Sequence, residues 1–501
     1  MADTQTASLR PFVVLCACVA SLGALNNGIN TSALNIPADQ IRNCPAVAPG
    51  VVTFYPNSGL PECIPMSSWI WGVASGAYAL GGLVGAVVSA PISKRFGRRD
   101  SMILMNVTFF IGAVLLATST ASAQFAFGRV FVGIGAGFMT ATAPPYIAEI
   151  APPNFRGALC TCFQLLITVG ILLIQCIGLG LRSSWGWRVI CVITVGPAIL
   201  QMACLPLLPR SPRWLLSQNR VHEARAELLR LRNGDIDNEF NDMLSHFTHG
   251  ATRGAASDNE KGDLDSFTGL DALAEATSQD QTLSIRQIMS IPVLAKLSIK
   301  IMIVHMACQL TGINAIMYYS TSIFQGSFGD QAVYVAIGVS VLNVVMTVIA
   351  LGLIDRLGRK KLLLISSSCM CVFSVLITIG LRYDVAPLQV VCVMLFVASF
   401  AVGLGAIPFA LTSEVYPTYA VSAASSMALT TNWLCNFIIG LIFPTLQSAC
   451  GAYVFLIFAC LTLAVFFFVL VFIPETRMKT IEEIGRMVGW ADIHPATALR
   501  H

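Results

Sequence analysis

Six side chains that give and take hydrogen bonds stand inside otherwise apolar stretches of this sequence: Gln164, Gln309, Asn314, Asn343, Asn432 and Trp433. Amides and an indole N–H neither titrate near neutral pH nor attack carbon, so their chemistry is recognition rather than bond-making. A buried amide left without a partner costs about 1–3 kcal/mol, so each must face another helix or a ligand. A helix–helix clamp accounts for any one of them; the set points to a polar cavity. No nucleophile–base pair and no metal-ligand spacing accompanies them, which excludes an enzyme and implies neither metal nor cofactor. His305, one turn before Cys308, is open to two readings: ligand contact, or a hydrogen-bonded structural histidine.

The elements that position these residues follow from composition. Of 501 residues, 55% are hydrophobic and 11% charged, against roughly a quarter charged in soluble domains. That excludes a soluble enzyme, a nucleic-acid binder and a disordered scaffold, and it makes the lipid bilayer the main partner. Twelve apolar stretches are each long enough for a hydrocarbon core of about 30 Å. They lie near 11–33, 68–92, 102–122, 125–148, 157–181, 188–208, 295–324, 331–354, 362–381, 388–412, 421–446 and 452–473. The expected fold is an all-α membrane protein of twelve transmembrane helices. Polar residues concentrate in spans 1, 5, 7, 8 and 11, where helices lining a cavity need them and lipid-facing helices do not.

Charge sets the orientation. Lys94, Arg95, Arg98 and Arg99 follow span 2, Arg356, Arg359, Lys360 and Lys361 follow span 8, and ten basic residues lie between Arg210 and Lys296. The loops of the other side show Arg42, Arg182, Arg188 and Arg382. Both termini and the central segment are therefore expected in the cytosol. The first span lacks a cleavage pattern and is not expected to be a removable signal. Most of the sixteen cysteines fall inside spans, as small polarizable packing residues. Cys44 and Cys63 share the long loop after span 1, on the non-cytosolic side, and are candidates for a disulfide.

The chain divides into a six-helix half (1–208), a central segment (209–294), a second half (295–474) and a tail (475–501). In the central segment Val221, Ala224, Leu228 and Leu231 fall on one helical face. From Gly234 to Gln281 the composition turns acidic and rich in Gly and Ser, the signature of a tether. The halves echo each other. Lys94-Arg-Phe-Gly-Arg-Arg99 matches Asp355-Arg-Leu-Gly-Arg-Lys360, and Tyr146-Ile-Ala-Glu149 matches Leu411-Thr-Ser-Glu414, each about 260 residues apart. Such a duplication, with a cleft between the halves, is the build of alternating-access transporters.

These motifs resemble the sugar porter family of the major facilitator superfamily over residues 20 to 484. They include Arg95-Phe-Gly-Arg-Arg99, Gly128-Arg129, Pro145-Tyr-Ile-Ala-Glu-Ile-Ala-Pro-Pro-Asn-Phe-Arg-Gly157 and Ser211-Pro-Arg-Trp214. Gln309-Leu-Thr-Gly-Ile-Asn-Ala-Ile-Met-Tyr-Tyr-Ser320, Asp355-Arg-Leu-Gly-Arg359 and Pro474-Glu-Thr476 continue the match. Tyr318-Tyr-Ser-Thr-Ser-Ile-Phe324 and Ala452-Tyr-Val-Phe455 bring it closest to the glucose-facilitator branch. The resemblance implies a transporter of a sugar or polyol, with sugar contacts at Gln164, Gln309, Asn314, Asn343 and Trp433 and Asn432 beside them. It implies gating at Gly312, Tyr318 and Tyr319 in span 7 and at Pro408, with Gly403 and Gly405, in span 10. It also implies a cytosolic charge network of Arg98, Arg129, Glu149, Arg156, Arg359, Glu414 and Glu475 that latches one state.

Five positions depart from the glucose facilitators. Cys308 stands where they have a second Gln, Phe409 where they have Trp, and Ala401 where they have Glu, each removing a hydrogen-bonding group from or near the pocket. Arg210 replaces an acid and Val421 an arginine, so the latch is expected to be weaker or rewired. The symporting members carry an aspartate on span 1, where this chain has Asn30. No Asp or Glu lies mid-span, which favours passive diffusion over the alternative of proton symport. A non-transporting receptor is a further alternative, but such sensors tend to have long tails, and about 27 residues follow the last span. Plasma membrane and vacuolar membrane fit equally.

Overall fold

The computed structural model describes residues 9–42, 52–152, 155–233, 236–237, 239–241, 243–244, 283–417, 420–477, 479 and 481–490. Among these residues the regular structure is helical. The first half comprises α1 (Pro11–Ala20), α2 (Leu22–Ser32), the short α3 (Ala38–Arg42), α4 (Ser68–Phe96) and α5 (Arg98–Ala117). It continues with α6 (Ser122–Ile150), α7 (Arg156–Gly180), α8 (Gly186–Val192) and α9 (Val195–Cys204). The central segment contributes α10 (Pro212–Ser217), α11 (Val221–Leu231) and α12 (Ile285–Ser290). The second half holds α13 (Pro292–Leu310), α14 (Ile313–Phe328), α15 (Ala332–Leu357), α16 (Arg359–Arg382) and α17 (Ala386–Val402). It ends with α18 (Ile407–Val415), α19 (Val421–Cys450) and α20 (Val454–Phe472), and α21 (Ile481–Val488) follows.

Ten stretches of the described residues are long and apolar enough to cross a bilayer. Two of them each hold two crossings separated by a 3-10 turn, α13–α14 and α15 in Pro292–Ala350, and α19 and α20 in Val421–Phe472, which gives twelve crossings. Spans 1, 6, 7 and 10 are broken: α1–α2 at Ser21, α8–α9 at Ile193–Thr194, α13–α14 at Thr311–Gly312 and α17–α18 at Gly403–Ala406. In span 1 the Ser21 hydroxyl donates to the Ala17 carbonyl (2.7 Å), the back-bonding that bends helices. In span 10 two glycines, Gly403 and Gly405, are weak helix formers and are followed by a Pro at 408, inside the first turn of α18.

The repeated basic motif has one backbone solution in both halves. Gly97 and Gly358 sit at φ +83° and +90°, each ending one span and starting the next. A left-handed φ strains any residue with a Cβ. The space is also filled, since a Cβ would lie 3.0 Å from the Trp214 ring at Gly97 and 2.8 Å from a Glu475 carboxylate oxygen at Gly358. Each turn is thus a docking point: α10 covers the first, and the Pro474-Glu-Thr476 motif covers the second. The amphipathic face anticipated in the central segment is buried, with Ala224 and Leu228 of α11 packing on Trp214, Leu215 and Leu216 of α10. Residues 245–282, which contain most of the acidic stretch, lie outside the described residues.

Candidate functional site

The break in span 7 places Gln309 near the end of α13 and Asn314 at the start of α14. Gln309 Nε2 donates to Asn432 Oδ1 of α19 at 2.9 Å, and Asn314 Nδ2 donates to Gln309 Oε1. Asn432 Nδ2 in turn reaches the His305 carbonyl at 3.5 Å. Three of the six amide and indole candidates therefore form one chain of hydrogen bonds, with Gln309 central. Cys308 is buried beside it, its Sγ 3.9 Å from Gln309 Nε2.

The remaining candidates have spare hydrogen-bonding capacity. Asn343 on α15 is 7% exposed, and Gln164 on α7 of the first half is half-buried. Neither amide hydrogen-bonds another described side chain. Trp433 packs edge-on against Tyr78 (5.9 Å, 77°) of the first half, and its buried Nε1 has no acceptor among the described residues. Phe409 is 39% exposed and meets the His305 ring edge-on at 5.0 Å. His305 Nε2 lies 2.9 Å from Thr412 Oγ1, which donates to the Pro408 carbonyl. The structure thus favours the structural reading of His305: it ties α13 to α18.

At the face away from the basic motifs the two halves are joined by hydrogen bonds. Asn35 Nδ2 donates to Ser320 Oγ (2.7 Å), Asn35 Oδ1 accepts from Thr321 N (3.0 Å), and Ser32 Oγ donates to the Met317 carbonyl (2.9 Å). Ser340 Oγ of the second half donates to Gln175 Oε1 of the first (2.8 Å), and Gln175 Nε2 donates to Ser32 Oγ. Tyr318 donates to Asn436 Oδ1 and Tyr319 to the Gly440 carbonyl, so the tyrosine pair holds α14 on α19 beneath this seal. Gln175, Ser32 and Asn35 are absent from the sequence-derived site. The signal for Gln175 was present: it lies eleven residues after Gln164, three helical turns along one face of one span.

On the basic face, Arg98 pairs with Glu149 (3.3 Å) within the first half, and Arg359 pairs with Glu414 (2.8 Å) within the second. Glu475 Oε1 accepts from the Arg359 amide N–H (2.9 Å). Among the described residues neither ion pair crosses between the halves. Arg210, expected to disturb the network, pairs with Asp100 at 2.9 Å, which also binds Arg99. The side chain of Arg156 lies outside the described residues, as does Cys44; Cys63 is disulfide-bonded.

Arg129 does not belong to that network. It precedes Glu149 by twenty residues on α6, about 30 Å at 1.5 Å per residue, so it sits toward the opposite face. It is 2% exposed, donates to the Asn30 carbonyl (3.0 Å) and lies 4.6 Å from the centroid of the Tyr78 ring. Motif membership placed Arg129 with the other charges, but helix length separates them. The same contact sets Asn30 against a buried cation, and Asn30 Nδ2 donates to Thr194 Oγ1 and the Asn26 carbonyl.

Two pseudo-symmetric halves, broken spans 7 and 10 and an amide chain joining spans 7 and 11 describe a transporter's architecture, and residues 15–488 match the model of the sugar (and other) transporter family. The chain belongs to that family. It is 32% identical over 493 residues to the facilitated glucose transporter member 3 of Oryctolagus cuniculus, covering 96% of this chain and 93% of that one. Member 4 of Mus musculus is 33% identical over 487 residues, covering 94% and 90%. Among solved structures, the proton:xylose symporter XylE bound to 6-bromo-6-deoxy-D-glucose superposes with TM-score 0.73 at 25% identity, covering 95% of this chain and 99% of that one. The partially occluded inward-open form of XylE from E. coli gives TM-score 0.72 at 24% identity, covering 94% and 100%.

Proposed function

We propose that this member of the family carries a monosaccharide or polyol by facilitated diffusion, with the basic face and both termini in the cytosol of a plasma or vacuolar membrane. The chain Asn314–Gln309–Asn432 carries the reading. It presents three amides of the second half, and the Trp433 N–H next to Asn432, the Gln164 amide of the first half and the Asn343 amide of α15 have hydrogen bonds to spare. Ring hydroxyls both donate and accept, and they match such a mixed set better than an ion or an apolar ligand does. Cys308 and Phe409 make the pocket less polar than that of the glucose facilitators, which favours a substrate with fewer or differently placed hydroxyls than glucose.

Alternating access requires that the sealed face open while the other closes. The seal consists of a few hydrogen bonds from Ser32, Asn35 and Gln175, each worth about 0.5–1.5 kcal/mol net, so substrate binding can tip it. Span 7 bends at Gly312 and span 10 at Gly403–Ala406, beside Pro408, which lets α14 and α18 move as half-helices. Uptake of labelled hexoses, pentoses and polyols into reconstituted vesicles, with and without a pH gradient, tests the proposal. Saturable uptake indifferent to the gradient supports it; uptake abolished by a protonophore identifies a symporter, and binding without flux a receptor.

Two substitutions sharpen the test. Trp433→Ala removes the orphan N–H and the aromatic surface, and substrate affinity is expected to fall by about tenfold or more, the scale of a lost hydrogen bond plus packing. An unchanged KM would remove Trp433 from the site. Asn30→Asp places a titratable carboxylate beside Arg129, and uptake is expected to become dependent on external pH. A flat pH profile in that variant would show that coupling needs more than a carboxylate at this position.

A further inference from the structure

A cavity with polar lining lies outside the seal, at the face opposite the basic motifs. Its volume is about 250 Å³, and both halves line it: Ile36, Asp39, Gln40 and Arg182 from the first, Thr321, Gln325, Asp330 and Val333 from the second. Arg182 Nη2 approaches Asp330 Oδ1 at 3.9 Å across the junction. Thr321 is 7% exposed, and its hydroxyl has no hydrogen-bond partner among the described residues; the Gln40 side-chain carbonyl oxygen is likewise buried and unpartnered among them. Its backbone neighbour is the seal itself, since the Thr321 N–H is held by Asn35. Buried polar groups without partners are uncommon in folded proteins and need an explanation.

We propose that this cavity is a second binding site for a monosaccharide or polyol, built only while this face is closed. The inference rests on the substrate class proposed above. Asp39 and Asp330 accept from hydroxyls, Arg182 donates, and Gln40, Gln325 and Thr321 do either, while Ile36 and Val333 offer an apolar floor to C–H groups. The volume falls below the roughly 300–1,000 Å³ of pockets that enclose drug-sized ligands, which suits a single sugar ring. A ligand here contacts both halves and must leave before they part. Occupancy therefore stabilises the closed face by mass action, and uptake falls at high external concentration.

The test uses the full chain in sealed, right-side-out vesicles, with Gln309→Leu to disable the central site and Gln325→Cys as a reporter. Labelling by an impermeant maleimide is timed with and without external D-glucose, D-xylose or myo-inositol, against the same chain without the reporter cysteine. At least one compound is expected to slow labelling about threefold or more, the effect of occupancy at a few times Kd. Thr321→Val, or Gln40→Leu should the first variant fold poorly, is expected to abolish that protection. Uptake of the same three compounds by the unsubstituted chain is measured in parallel. Uptake without protection overturns the second site and leaves the transport reading intact. Protection that survives both pocket substitutions also overturns it. Protection lost on substitution supports the site even where no uptake is seen, a result that overturns the transport reading instead. Neither uptake nor protection overturns both.

Discussion

Replacing Gly72 by valine is expected to prevent closure of the face opposite the basic motifs and to reduce transport about ten- to a hundredfold. Gly72 lies on the second turn of α4, in the first half, and a Cβ there would stand 2.3 Å from the Leu441 carbonyl oxygen of α19, in the second. The clash is with backbone, so no rotamer change relieves it; the two helices must separate. Overpacking of this kind costs about 1–3 kcal/mol, and each 1.4 kcal/mol is a factor of ten in the equilibrium between closed and open forms. The fold itself need not suffer, because the contact joins two bodies that part during the cycle. Spin labels at Thr120 and Tyr383, exposed on loops of the two halves at that face, would report a longer distance in the variant. A normal uptake rate with an unaltered distance would show that α4 and α19 do not need this approach.

Gln309→Leu is expected to raise KM by about ten- to a hundredfold with normal insertion in the membrane. The side chain accepts from Asn314 and donates to Asn432, so its loss removes one amide and leaves two others mispaired. Unsatisfied polar groups of this kind cost about 1–3 kcal/mol each. Binding is hit twice, through the direct contact and through the disorder of both neighbours. Radiolabelled substrate binding to purified protein, alongside uptake, separates lost affinity from lost turnover. Unimpaired binding would mean that the amide chain is a helix clamp and the substrate lies elsewhere.

The spans and the halves were legible in the sequence because a bilayer imposes a local rule: about twenty apolar residues per crossing. The breaks in spans 7 and 10 were legible for a similar reason, since Gly312 in one and Gly403, Gly405 and Pro408 in the other weaken their own helices whatever surrounds them. Amides in apolar runs also declared themselves one by one. What they bond to did not. Gln309 was marked by its position, whereas its place between Asn314 and Asn432 depends on where α19 packs. Asn35, just past the expected end of span 1, carried no such mark, because polar residues near a span end are expected to meet water.

Arg129 shows the limit most clearly. As part of Gly128-Arg129 it grouped with the basic motifs, but the 29-residue helix α6 carries it far from Glu149 and against Asn30 and Tyr78. The sequence by itself determined a twelve-helix membrane protein of duplicated halves, the polar inventory of its interior and the positions where two helices break. All of these follow from composition and spacing along one chain. Only the tertiary structure decided which half each polar group answers to: the seal across Ser32, Asn35 and Gln175, the ion pairs of the basic face confined within halves, and the cavity built around Thr321. Those depend on contacts between residues about fifty to nearly three hundred positions apart, which no local pattern encodes.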